Sequence, residues 1–117
     1  MPQDPVNWRA LTVTMADVSA PSSVWVVSPW NGYIKEIYTV INEAITGADT
    51  VITVEIGGVE VTGSSITIAN GSSAAGDVDS AFPTALNYVL KGQAIEVLTS
   101  GASSTTAIGT ITLLIAT

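Results

Sequence analysis

Carboxylates, hydroxyls and two lysines are the only groups in this chain suited to chemistry. Histidine and cysteine are absent, and 10 Asp and Glu face 3 Lys and Arg. The many Ser and Thr have no imidazole to activate them, and only Lys35 and Lys91 could replace it. That excludes a Ser-His-Asp triad and leaves a Ser–Lys dyad without support. The Cys and His ligand sets of zinc are missing. No phosphate-cradling G-x-x-x-x-G-K-[ST] or G-x-G-x-x-G pattern occurs. A protein that is not an enzyme and carries no cofactor is the expectation.

Two carboxylate pairs remain. Asp77 and Asp79 lie two apart in A-A-G-D-V-D-S, where backbone carbonyls could add oxygen ligands. Calcium takes six to eight such ligands and no EF-hand spacing is present, so a turn whose Asp side chains bond their own backbone competes with a cation loop. Glu55 and Glu60 flank Gly57-Gly58. A two-residue turn there places Ile56 opposite Val59 and Glu55 directly opposite Glu60. Like charges so placed cost a few tenths to about 1 kcal/mol. Either solvent absorbs this, or a Lys or Arg of a neighbouring chain neutralises the pair.

Contact residues form the other group of candidates. Trp8 begins the first strand, and Trp25 and Trp30 flank Pro29 near a turn; aromatics at such places are core corners or interface anchors. Residues 1–7, M-P-Q-D-P-V-N, carry two prolines and no periodicity, and read as an extended arm. Ordering such an arm costs about 1–2 kcal/mol per residue, which contacts with a partner could offset. Pro2, Gln3, Asp4, Pro5, Trp8, Trp30, Glu55 and Glu60 are therefore the candidate partner-binding residues. Asn70-Gly71-Ser72 matches a glycosylation acceptor but reads as turn chemistry.

The elements that must carry these residues are strands. The chain is 117 residues long, enough for one domain with a two-layer core. It is 47% apolar and only 11% charged. Residues 8–15, 24–28, 33–42, 50–56, 65–69, 94–99 and 108–116 show strand patterning, with Val59 and Val61 returning from the Gly57-Gly58 turn. Asn31-Gly32 is a hairpin signal between the second and third strands. Residues 70–88 read as the longest irregular segment, with one turn of helix over 83–87. About eight strands with turns every 8–12 residues predict an all-β, single-domain antiparallel β-sandwich, jelly-roll or Ig-like, over residues 8–117. Its expected core is Leu11, Val13, Ile52, Val54, Ile56, Val59, Val61, Ile66, Ile68, Ile95, Val97, Ile111, Leu113 and Ile115. Leu114 falls on the opposite face, and together with the sparse charge this predicts a homo-oligomer.

The net charge of −7 is uneven: residues 1–35 hold two acids and two bases, the remainder eight acids against Lys91. Phosphate binding needs a Lys/Arg surface, so no nucleic acid and no anionic membrane is the expectation. No apolar run approaches the eighteen or so residues of a membrane span. No basic head precedes an apolar stretch, so cytoplasmic synthesis is expected.

Four stretches together carry a resemblance: S-P-W-N-G-Y-I-K-E-I-Y-T-V-I from Ser28, A-I-T-G-A-D from Ala44, I-T-I-A-N-G-S-S-A-A-G-D-V from Ile66, and L-K-G-Q-A-I-E-V from Leu90. They resemble small β-sandwich proteins that decorate or cement the capsids of tailed bacteriophages. The resemblance covers residues 24–99 and, more loosely, the last strand. It implies a non-enzymatic virion protein on the capsid surface, made in the host cytoplasm. Its implied partners are the major capsid protein, at junctions between shell subunits, and itself, as a homotrimer. The alternative is an attachment module of similar architecture, a tail, fibre or carbohydrate-binding domain, with Trp25, Trp30 and Tyr33 lining a groove.

Overall fold

Alternation of apolar and polar side chains is realised as ten strands and no helix among the residues described by the computed structural model, 7–117. The strands are β1 (Trp8–Met15), β2 (Ser22–Val27), β3 (Gly32–Ile41), β4 (Thr50–Ile56), β5 (Val59–Glu60), β6 (Ile66–Ile68), β7 (Val78–Ala81), β8 (Tyr88–Val89), β9 (Ala94–Thr99) and β10 (Gly109–Ala116). All pairings are antiparallel. One sheet runs β1-β10-β3-β7, with β8 also on β3; the other runs β2-β9-β4-β5, with β6 also on β4.

Counting β5/β6 and β7/β8 as two interrupted strands leaves eight, and their order decides between the two expected topologies. Chain neighbours β1 and β2, β2 and β3, and β9 and β10 lie in opposite sheets. An immunoglobulin sandwich, with strands ABED on CFG, keeps half of its chain neighbours in one sheet, whereas here only β4 and β5/β6 share one, the interleaving of a jelly roll.

The core lies between the inner faces. Ile34, Ile37, Ile41, Ile111, Leu113 and Ile115 of the first sheet meet Ile52, Val54, Ile56, Ile95 and Val97 of the second, all buried. Strand β4 buries every second residue, as T-V-I-T-V-E-I requires. Val18 and Ile45 close the core from loops. Leu11 and Val13 are only half-buried, because β1 and β2 form the open side of the sandwich. Val59 departs from the expected core and is 52% exposed. It sits beyond the turn opposite Ile56, where the facing sheet no longer reaches.

Three local expectations are corrected. The Asn31-Gly32 step does not join a hairpin: β2 pairs with β9, and β3 with β10, so residues 28–31 cross between sheets. Gly32 is needed for close approach, since a Cβ there would meet Ile115 Cγ2 at 2.8 Å and the Ala116 carbonyl closer still. Residues 70–88 are not one irregular segment, because β7 and the start of β8 lie within them. No helical turn forms over 83–87, where Thr62 bridges Ala85 and Leu86 is left-handed. Gly57 and Gly58, at φ 62° and 80°, do form the expected tight turn, and Glu55 lies opposite Glu60.

Candidate functional site

The two ends of the sandwich differ in chemistry. One carries the crossings 16–21, 42–49, 69–77 and 100–108, with Asp17, Glu43, Asp49, Asp77 and the inward Asp79 near it. It has no Lys or Arg among the described residues. The other carries 28–31, the Gly57-Gly58 turn, 82–87 and 90–93, and all three cations of the chain lie toward it: Arg9, Lys35 and Lys91. Exposed Tyr33, Val59, Leu86 and Tyr88 lie toward it, and we call it the tyrosine end.

A groove of about 330 Å³ opens there between Ile56 and Val59 of the β4–β5 hairpin and Leu86 and Tyr88. Tyr33 meets Tyr88 edge to face, ring centroids 4.8 Å apart, and the Lys35 ammonium lies 5.5 Å from the Tyr33 centroid. Leu86 is 64% exposed, at φ 54°. The left-handed region costs a non-glycine residue about 1–2 kcal/mol. The surroundings impose it by pinning both neighbours. Thr62 N–H donates to the Ala85 carbonyl (3.0 Å), and the Asn87 amide donates to the Ile34 carbonyl (2.8 Å), whose own N–H bonds the Asn87 carbonyl (2.8 Å). A leucine side chain is thereby held in solvent at the lip of an apolar groove. Leu86 escaped sequence reading because nothing in F-P-T-A-L-N marks a left-handed leucine.

Register gathers the glutamates into a row. Glu60 faces Glu55, Glu55 faces Glu96 on β9, and Glu96 faces Trp25 on β2. Glu55 and Glu96 alternate with buried Ile and Val and so lie on the outer face of the second sheet. The sequence revealed the Glu55–Glu60 pair but not Glu96, which needs the β4–β9 pairing.

The remaining candidates scatter. Pro2, Gln3, Asp4 and Pro5, with all of the arm at 1–7 but Asn7, lie outside the described residues. Asn7 is the first described residue, and its carbonyl accepts the Thr117 N–H at 3.0 Å. Trp8 is half-buried opposite Ala116. Trp30 packs against the core, and Ser28 holds its loop through Oγ, donating to the Trp30 carbonyl at 2.7 Å. Trp25 is 58% exposed on β2, away from Tyr33, so Trp25, Trp30 and Tyr33 do not line one groove.

Asp77 and Asp79 play different parts. Asp77 Oδ2 accepts the Ala74 N–H at 2.8 Å, the turn-capping role weighed above. Asp79 faces inward opposite buried Thr39, whose Oγ1 has no hydrogen-bond partner. Burial, and then the charge of Asp77, push the Asp79 carboxyl above its ordinary value. No group of three acidic side chains suited to a metal occurs among the described residues. Asp17 is held below its ordinary value, chiefly by the Ser19 hydroxyl and then the Ser19 N–H.

A second hollow, of about 380 Å³, lies on the open side by Thr14, Met15, Ala20 and Val24. No helix is long and apolar enough to cross a membrane.

No family model matches the sequence, and no curated protein matches it. Solved structures do share the fold. A chain of the cyanophage Pam1 capsid asymmetric unit is 10% identical with a TM-score of 0.52, over 100% of this chain and 91% of that one. The SPBc2 prophage-derived protein YomS is 12% identical with a TM-score of 0.51, over 92% and 94%. The catalytic unit of a thermostable GH87 α-1,3-glucanase from Streptomyces thermodiastaticus is 12% identical with a TM-score of 0.54, over 94% of this chain but 26% of that one. The likeness is one of fold.

Proposed function

We propose that this chain is a non-enzymatic virion structural protein that decorates or cements a phage capsid at junctions between shell subunits. The tyrosine end carries the reading: Leu86, Tyr88, Tyr33 and Val59 form an exposed apolar surface built for protein contact. The capsid chain and the prophage protein support it, because both match over nearly their whole length. In the glucanase the same fold is a minor part of a larger molecule.

A cement protein needs no chemistry. Binding only the assembled shell stabilises that state by linkage, and an oligomer engaging several equivalent sites gains avidity. The major capsid protein and further copies of this chain, as a trimer, are the proposed partners, and the capsid surface is the location. The attachment reading needs an aromatic platform, and the separation of Trp25, Trp30 and Tyr33 favours cement over it.

Co-sedimentation with shells lacking the protein tests this. Saturable binding and a higher temperature of shell disruption are expected. Absence of binding to intact shells contradicts the proposal.

A further inference from the structure

The geometry points to the tyrosine end as the place where a second copy of this chain docks, with the groove of one copy closed by the Leu86 region of the next. This rests on reading that end as a docking surface and is independent of the capsid assignment.

Three observations converge. The centre of the patch is apolar and half-open, with Val59, Tyr88 and Leu86 all exposed around the groove. Leu86 keeps a strained backbone while its side chain gains little within its own domain. Glycine or asparagine would suit that conformation better, so the benefit of leucine lies in a contact outside the domain.

The third observation selects the occupant. The patch is bordered by opposite charges on its two sides. Lys35, over the Tyr33 ring, borders it on the first sheet, with Lys91 in the loop after β8, where its N–H is held by Asn31 Oδ1 at 2.7 Å. Glu60, Glu55 and Glu96 border it on the second sheet. Glu36 lies on the basic side but is engaged by the Tyr38 hydroxyl at 2.5 Å. A copy rotated about an axis through this end lays its basic rim on the acidic rim of its neighbour and apolar centre on apolar centre. Symmetric closure satisfies both rims at once. It also relieves the like-charge row on β5, β4 and β9, which an isolated chain leaves facing solvent.

The test is the solution mass of the full chain by light scattering at about 100 µM, a concentration at which even a weak self-association is populated. The expected result is a multiple of the 12.0 kDa chain mass. Leu86→Glu should return it to that of one chain. Leu86→Asn, which fits the left-handed backbone, should weaken association at least tenfold while keeping or raising the melting temperature. Lys35→Glu and Glu60→Lys should each weaken association, and the double variant should recover it. A single-chain mass for the unaltered protein overturns the proposal, and particle binding by such a monomer through the Leu86 region assigns the surface to the shell instead. An unchanged mass for Leu86→Asn with intact circular dichroism, or a double charge reversal no better than the single ones, also overturns it.

Discussion

Thr39 and Asp79 show how one register position sets two residues against their environment. Thr39 is buried with an unpartnered hydroxyl, and Asp79 opposite it is partly desolvated beside Asp77. Removing an unsatisfied buried hydroxyl without changing side-chain shape relieves a desolvation cost, so Thr39→Val should stabilise the fold by about 1 kcal/mol. A raised melting temperature checks this, and a lowered one would show that Oγ1 is in use. For Asp79 the raised carboxyl value means that the folded chain holds this proton more tightly than the unfolded chain. Its favourable contribution is therefore present in acid and lost as pH rises through the folded value. Asp79→Asn should raise the melting temperature at neutral pH, with the gain fading below the ordinary value of 3.8. Asp17 has the opposite sign: its contribution is present at neutral pH and is lost as pH falls through its lowered value.

Among the elements, the crossing at residues 28–31 carries the clearest structural constraint. Gly32 lies against the backbone of β10, so Gly32→Ala should cost about 1–3 kcal/mol through overpacking, although no left-handed backbone is involved there. Urea unfolding measures it, and an unchanged midpoint would contradict the assigned role. The same crossing shows what was legible in the sequence. Strict alternation in β4, β9 and β10 located those strands and their buried faces, because a period of two admits one inner face. Pairing was less legible: Asn-Gly resembles a hairpin whether the next strand returns beside the last or enters the other sheet. Strand β3 hid Ile34, Ile37 and Ile41, because a bulge opposite Leu114/Ile115 places Lys35 out of step and breaks the alternation. Strand β7 was missed since V-D-S-A turns its valine outward, 63% exposed, and its Asp inward. The tyrosine end needed the three-dimensional structure, because its residues come from β3, β4, β5 and the 82–90 stretch. The arm at residues 1–7, read from its prolines, yields a separate expectation: deleting 2–7 should leave circular dichroism and melting nearly unchanged while weakening binding to shells.

At the scale of the whole molecule, apolar surface and cations lie toward one end and uncompensated acid near the other. An acidic end free of Lys and Arg repels phosphate backbones and other acidic ends, so it suits a face turned to solvent. The tyrosine end, with its groove and oppositely charged rims, suits contact with a second copy. Cryo-microscopy of particles assembled with this protein tests the account most directly. It predicts density on the outside of the shell at junctions between subunits, with the tyrosine ends covered by neighbouring copies of the chain. Density confined to the tail, or a shell without added density under saturating protein, would contradict it.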